Sequence, residues 1–596
     1  MDYHGYDDIV RAVEGDGDFP SAPPAPPGEP SHTPAPPSRA EPSDKTIAEC
    51  ALLDESDTSN GVRLMSYFPD QLLVMKVSSV AGGDKLIWSG THWDIDEGEA
   101  GAALIAQKVG DYIQKEAAYL VATEDETRAM AAVTEAVLDE LDALKAISAK
   151  ERTSEQRRRL REVDAIAKAG HSAAAAVRRR QERRQNFGVQ SKDQGRIEKM
   201  LENVSPRLRK NIEELNASAL SVATRTHTLV FHQEIDPECP DPKATRYKSW
   251  IEARKGHRQE DYITALVPVN YDKKAKAPLF EAWIEQMMPD AETRRTLQQF
   301  CGCSILGIPL QFFMFHYGEG ANGKSVFLEM LVRLLGKSFA VGLPTESIIG
   351  SGERAGGGAS PDLIRLFGKR MVRVLELPEG KPLQSELIKK LTGGEEIPVR
   401  TLYKGYIDFM PRAKPHMSGN GLPKILDTSN GIWRRMLFVK WPIMIAEEDR
   451  RDPEVMVREF LSEAPGVFNW LCEGARDFLS GGQIYIAPKV RADVQAYRKE
   501  MDIVLQFVED CVEKAEGETV QARDMYLAFK DWCIVNSKNV VFETRFGRDM
   551  KRHCQKDDKS RVRKYLDVKL RDDRPRPTES ELRANKAAEI NSDVVP

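Results

Sequence analysis

Gly318-Glu319-Gly320-Ala321-Asn322-Gly323-Lys324-Ser325 satisfies the pattern G-x-x-x-x-G-K-[ST] in full. That combination suits a nucleoside triphosphate. The glycines let backbone N–H groups turn inward around the phosphates, the Lys324 ammonium neutralises the outer ones, and the Ser325 hydroxyl can ligate magnesium at a helix N-terminus. The flanks are those the loop demands. Residues 311–317, Gln-Phe-Phe-Met-Phe-His-Tyr, are short, aromatic and bounded by Pro309 and Gly318, which predicts a buried strand. Val326, Leu328, Leu331, Leu334 and Leu335 then recur at helical spacing. A second Gly-Lys-Ser, at Gly336, Lys337 and Ser338, has Leu331 in the place of its first glycine and reads as a helix end.

A phosphate loop alone does not separate kinases, GTPases and motor ATPases, so the groups that follow it decide. Residues 370–376, Arg-Met-Val-Arg-Val-Leu-Glu, form a β-type run ending in a carboxylate, with Glu379 three residues on. An acid set beside a phosphate loop can hold magnesium directly or through water, and a second can polarise the attacking water. Glu376 is assigned the metal and Glu379 the base, with exchange of the two roles left open. Met417-Ser418-Gly419-Asn420 follows a run beginning at Tyr406, which puts the Asn420 amide at a strand end, where it can orient water at the terminal phosphate. Arg434 and Arg435 stand just before another apolar run. An arginine reaching a neighbouring subunit's terminal phosphate stabilises transition-state charge and is worth about 10³ to 10⁵ in rate. Which of the two arginines would serve stays open.

These groups sit in a chain of 596 residues with a net charge of −6, so any nucleic-acid contact must come from local patches or a channel. The eight cysteines are scattered, with no C-x-x-C pair, and read as reduced and structural. The acidic first residues lack the basic and apolar regions of a signal peptide, and the apolar stretch 300–317 is broken by Gly307, Pro309 and Gln311. A cytoplasmic protein is expected. Composition divides the chain into a disordered Pro-rich arm (1–44), a small α+β module (45–122), Arg/Ala/Glu-rich helices (123–196), a segment leading into the nucleotide domain (197–307), the nucleotide domain itself (308–445), a helical connector (446–500), a compact three-helix unit with a wing-like strand (501–570) and a flexible tail (571–596). The arginine triplets at 157–159 and 178–180 fit either a solvated helical face or a DNA-contacting arm.

Taken in order, the phosphate loop at 318–325, Glu376-Leu-Pro-Glu-Gly380, Leu387-Ile-Lys-Lys-Leu-Thr-Gly-Gly394, Arg400-Thr-Leu-Tyr-Lys404, Gly419-Asn420 and Ile432-Trp-Arg-Arg435 resemble the superfamily 3 helicases. The resemblance is specifically to the helicase module of the phage and plasmid primase family, which is similar to the poxvirus primase-helicase. It covers most of residues 197–442. It implies an α/β fold with an AAA+-type P-loop ATPase core, a mostly helical N-terminal region and a C-terminal winged-helix-like module. It also implies ATP and Mg2+ as cofactors, and a homohexameric ring moving on single-stranded or forked DNA during phage or plasmid replication, with a separate primase as a possible partner. Lys389, Lys390, Arg400, Tyr403 and Lys404 match the stretch that forms the family's channel-facing DNA element. Charge on the backbone and a tyrosine for stacking agree with that role in kind. Many relatives carry a primase-polymerase domain ahead of this module. Here a short proline-rich arm precedes residue 45, and Asp94-x-Asp96 falls within the helicase family's own upstream pattern, so no primer synthesis is expected. Two other readings compete: an ATP-dependent initiator or loader that binds duplex DNA with little unwinding, and a small-molecule phosphotransferase, against which the arginine pair and basic stretch argue.

Overall fold

The computed structural model describes residues 41–76, 84–237, 246–350, 361–401, 405–427, 430–557 and 562–582, and the architecture below is that of the unit Pro42–Pro596. At its centre five strands lie side by side, all parallel, in the spatial order Ala340–Gly342, Met371–Val374, Lys414–Gly419, Phe313–Tyr317, Met436–Lys440. A parallel sheet is covered on both faces, so its strands carry apolar side chains in both directions. Met314, Leu437 and Val439 enter one core, while Phe313, Phe315, Met436 and Phe438 enter another. The strand ahead of the phosphate loop begins at Phe313, two residues later than the apolar run suggests.

The strand leading to Asn420 is Lys414–Gly419, and the run at Tyr406 belongs elsewhere. Gly405–Phe409 pairs antiparallel with Ile397–Thr401 as a hairpin inserted between the acid-bearing strand and this one. Lys414–Gly419 is buried at every position and alternates polar Lys414, His416 and Ser418 with Pro415, Met417 and Gly419. The helix Lys324–Phe339 follows the loop and breaks at Gly336, whose φ of 72° is left-handed, so the second Gly-Lys-Ser is a helix end as read.

A helix pair holds the sheet from one side. In Ala291–Cys303 and Ala464–Gly481 the backbones approach so closely that a Cβ on Gly302 would lie 2.2 Å from Ala475 N, and one on Gly474 2.2 Å from Gln298 O. Beyond them a four-stranded sheet runs Tyr247–Lys255, His227–Ile235, Ser221–Thr224, Leu266–Val267. At the C-terminal end, helices Ile503–Cys511, Ala522–Val535 and Glu543–Met550 close on Phe507, Phe529, Trp532 and Phe546. Strands Val512–Gln521, Lys564–Leu570 and Lys556–Asp557 pair antiparallel against them. The alternating run at 562–570 is a strand, Lys564–Leu570, with a partner, Val512–Gln521, that the polar sequence there did not announce. Seven cysteines are free and buried; Cys239 lies outside the described residues. No helix among the described residues is long and apolar enough to cross a membrane.

The N-terminal region is one packed body across the divisions drawn at 122 and 196. Arg209–Asn211 adds in parallel to Leu72–Lys76, completing the sheet Trp93–Asp94, Asp84–Trp88, Leu72–Lys76, Arg209–Asn211. Its lock is ionic. The fully buried Glu116 accepts from Arg63 Nε at 2.8 Å and Tyr67 OH at 2.6 Å, and also from Arg184 Nη1 on the long helix Ser154–Gln190. Arg63 also donates to the Asp54, Cys50 and Leu53 carbonyls. Glu116→Gln should therefore lower the local stability of helix Gly98–Glu116 by about 3–5 kcal/mol, because two buried arginines lose their counter-charge. Glu140→Gln, which removes an exposed and solvent-screened partner of Arg159, should cost far less. Hydrogen exchange across a urea series measures both, and equal losses would contradict the buried lock.

Candidate active site

The loop folds as a cradle. Gly320 and Gly323 have φ of 114° and 77°, and Ala321 also takes a left-handed φ of 44°. No side chain caps the helix that starts at Lys324, and Phe327 N–H reaches back to Gly323 O at 2.9 Å, so the earlier amides of the turn face the loop. Gly323 has no room for a side chain: a Cβ there would lie 2.6 Å from Trp283 Cζ2. Trp283 comes from helix Pro278–Met287, whose first amides, Leu279 and Phe280, donate to the Glu463 carboxylate. Behind the loop, Ile445 N–H donates to Ala321 O at 2.8 Å and Trp441 N–H to Tyr317 O at 2.8 Å. Glu319 and Ser325 are exposed, Gly318 and Asn322 buried.

Lys324 is 5% exposed, and its ammonium donates to Gly318 O at 3.0 Å, Asn322 Oδ1 at 3.3 Å and Asn420 Oδ1 at 2.6 Å. Burial pulls its pKa down, and the charge of Glu376 opposes that shift. The loop lysine and the strand-end amide are thus in direct contact. The acidic strand ends at Val374, and Glu376 sits two residues beyond it with a left-handed φ of 56°, a conformation that costs a non-glycine residue about 1–2 kcal/mol. From there the segment runs beside the one carrying Asn420: Leu377 N–H donates to Ser418 O at 2.8 Å and Gly380 N–H to Leu422 O at 3.0 Å. Glu379 lies against Gly421, where a Cβ would be 2.4 Å from Glu379 Cβ. Both carboxylates are exposed.

The arginines lie at the other end of the sheet. Phe313 N–H, at the start of the loop strand, donates to Arg435 O at 2.8 Å. The strand's length, about 13 Å at 3.3 Å per residue, separates this end from the loop. Arg434 is exposed; Arg435 is half-buried and donates from Nη1 to Gly431 O at 2.7 Å, with its Nε buried and unpartnered. Neither contacts Lys324 or Asn420. Among the expected DNA-facing residues, Lys390 is exposed on helix Ser385–Gly393, whereas Lys389 is held by Glu386 at 2.8 Å and Asp427 at 2.6 Å. Arg400 stands opposite Tyr406 in the hairpin register. Tyr403 and Lys404 lie outside the described residues.

Sequence reasoning missed a buried polar chain under this site. Trp441 Nε1–H donates to His316 Nδ1 at 3.2 Å, His316 Nε2 meets His416 Nδ1 at 3.3 Å, and His416 Nε2 meets Ser304 Oγ at 3.0 Å. An indole only donates, so His316 must accept at Nδ1 and carry its proton on Nε2, which in turn fixes His416 as the Nε2–H tautomer. The chain is satisfied only if both imidazoles are neutral. Burial, with the charge of Lys324 adding to it, pulls His316 down to about 3; burial, reinforced by His316 and Lys414, pulls His416 well below the usual range. Nearby Lys414, pulled down to about 7 by burial, donates to the Leu306 and Arg412 carbonyls. No motif could announce the pair, because the two histidines are 100 positions apart and meet only through strand pairing.

Both histidines titrate lower folded than unfolded, where the value is about 6.5. The contribution of His316 is fully present above pH ~6.5 and is lost as pH falls towards 3, at up to about 1.4 kcal/mol per pH unit, and that of His416 is lost in the same direction. The urea midpoint should drop between about pH 6.5 and 5, and His416→Gln should flatten that drop. Identical slopes for the two proteins would contradict a neutral pair.

Two parts of the chain match known families: residues 62–289 match the one described as D5 N terminal like, and residues 499–576 the one described as Poxvirus D5 protein-like. The chain is 30% identical over 288 residues to "Putative helicase 022R" of Frog virus 3 (isolate Goorha), which covers 45% of this chain and 29% of that protein. It is 27% identical over 315 residues to "Putative helicase 121R" of Invertebrate iridescent virus 3, covering 47% of this chain and 33% of that protein. The matches thus span a third or less of the length of these relatives. Among solved structures, the apo C terminal region of NrS-1 (305-718) aligns with a TM-score of 0.34 and 10% identity, over 57% of this chain and 96% of that one. Matches to the two D5 family descriptions thus stand on both sides of the phosphate loop, and the chain is similar to viral proteins named as helicases.

Proposed function

We propose that this chain is an ATP-driven DNA helicase of superfamily 3, with an AAA+-type core in its five-stranded sheet and a winged-helix-like module at 501–570. In this reading it works as a hexameric ring on single-stranded or forked DNA. The observation that carries the reading is the contact of Lys324 with Asn420 at 2.6 Å, which joins the phosphate loop to the neighbouring strand end. An ammonium held by three oxygen acceptors is poised to exchange them for phosphate oxygens, which carry more charge. The amides of the loop's helix turn cradle the inner phosphates, Asn420 orients the attacking water, and Glu379, beside Gly421, accepts its proton. Ser325 and Glu376 would hold magnesium, which supplies charge neutralisation across the phosphates.

Arg434 and Arg435 sit at the sheet end away from their own loop, so an arginine here can serve only a site on another chain. That supports a ring with composite sites. Of the residues expected to meet DNA, Lys390 is exposed on its helix and would contact the strand, whereas Lys389 is committed to Glu386 and Asp427.

Lys324→Ala, and one of Arg435→Ala and Arg434→Ala, should each cut DNA-stimulated ATP turnover and fork unwinding by about 10³-fold. Mixing the two inactive proteins should restore part of the turnover, because a ring then contains sites with an intact loop from one chain and an intact arginine from the next. Running the mixture with each arginine variant identifies which arginine acts. No recovery in either mixture would contradict sites shared between chains, and turnover indifferent to DNA would contradict the helicase reading.

A further inference from the structure

The long helix Ser154–Gln190 carries ten basic and four acidic residues in a chain that is acidic overall, and nine of the ten are arginines. Seven of the ten fall into two sets, while Arg158, Lys168 and Arg183 pair with Glu162, Asp164 and Glu55. Arg159 grips Glu140 through two nitrogens at 2.7 and 2.8 Å, Arg180 grips Glu126 through two at 2.6 Å, and Arg184 enters the Glu116 lock. These arginines hold the helix to its neighbours. Arg157, Arg161, Arg178 and Arg179 are exposed and have no acidic partner among the described residues.

Three of these four, Arg157, Arg161 and Arg179, are in register, and Arg178 flanks Arg179. Arg157 and Arg161 are one turn apart, and Arg161 and Arg179 are separated by 18 positions, which is five turns, or about 27 Å along one line of the helix. Between the two clusters, residues 165–177 contain no acid and no Phe, Tyr or Trp, and the exposed Ser172, Ala174 and Ala175 keep the surface low. Guanidinium groups at both ends of a smooth rod suit phosphodiester oxygens, which arginine grips through two N–H groups. A single strand is held largely by stacking its bases on aromatic rings, and this face offers none.

We infer that this arginine face is a docking surface for the sugar-phosphate backbone of duplex DNA, read through charge and not through sequence. The inference rests on the reading of the chain as a DNA-acting protein, and it can fail separately from the motor chemistry.

The test uses the full chain with Arg157, Arg161, Arg178 and Arg179 all changed to Gln, and a companion with all four changed to Lys. Fluorescence anisotropy follows binding to a blunt duplex and to an oligo-dT strand over about 50–200 mM salt. The Gln variant should lose at least about tenfold in duplex affinity at low salt, and its slope of log K against log salt should shrink by about 0.9 for each phosphate that it no longer neutralises. The Lys variant should keep most of the slope, the effect on oligo-dT should be smaller, and ATP turnover without DNA should be unchanged. Unchanged affinity and slope on both substrates would overturn the inference, and a loss confined to oligo-dT would overturn the duplex assignment. Duplex binding through these arginines by a chain that hydrolyses no ATP would leave the inference standing and defeat the motor reading.

Discussion

The strand Lys414–Gly419 is the constraint on which the rest of the site depends. It stands between the loop strand and the acid strand, so the Asn420 amide emerges beside the loop and the acids lie one strand further out. A polar strand at the centre of a sheet is costly unless each group finds a partner. Lys414 takes two carbonyls, and His416 joins Ser304 and His316. Because these partners come from the segment before the sheet and from the loop strand, satisfying them also fixes the strand's register against the loop. A one-residue slip would turn His416 away from His316 and move Asn420 off Lys324.

The loop is in turn braced by parts of the chain outside the sheet. Trp283 fills the space that only a glycine at 323 leaves, and Glu463 caps the helix that presents Trp283. Glu463 immediately precedes helix Ala464–Gly481, whose close crossing with Ala291–Cys303 needs Gly302 and Gly474. The part of the chain matching D5 N terminal like, residues 62–289, therefore ends on the helix packed against the phosphate loop.

Much of this was legible before any coordinates, for physical reasons that also explain the rest. The loop, its aromatic strand and its leucine-rich helix declare themselves because glycine placement and apolar spacing are local. The acids and arginines are legible by their order after the loop. The Asn420 strand is not, because Lys-Pro-His-Met-Ser-Gly has no apolar run, and the nearby Tyr406 run, a hairpin strand, imitates one. The N-terminal lock escapes for a different reason. Arg63, Glu116 and Arg184 are far apart in sequence, each reads as a surface charge alone, and the three-residue strand Arg209–Asn211 is too short for any pattern.

The most direct measurement of the central claim is a structure of the chain with a non-hydrolysable ATP analogue and magnesium. The terminal phosphate should lie between Lys324 and Asn420, with their 2.6 Å contact opened to admit it, Ser325 and Glu376 at the metal, and Arg434 or Arg435 of a neighbouring chain within reach. An analogue bound elsewhere, or bound at the loop with Asn420 turned away from the terminal phosphate, would contradict that claim.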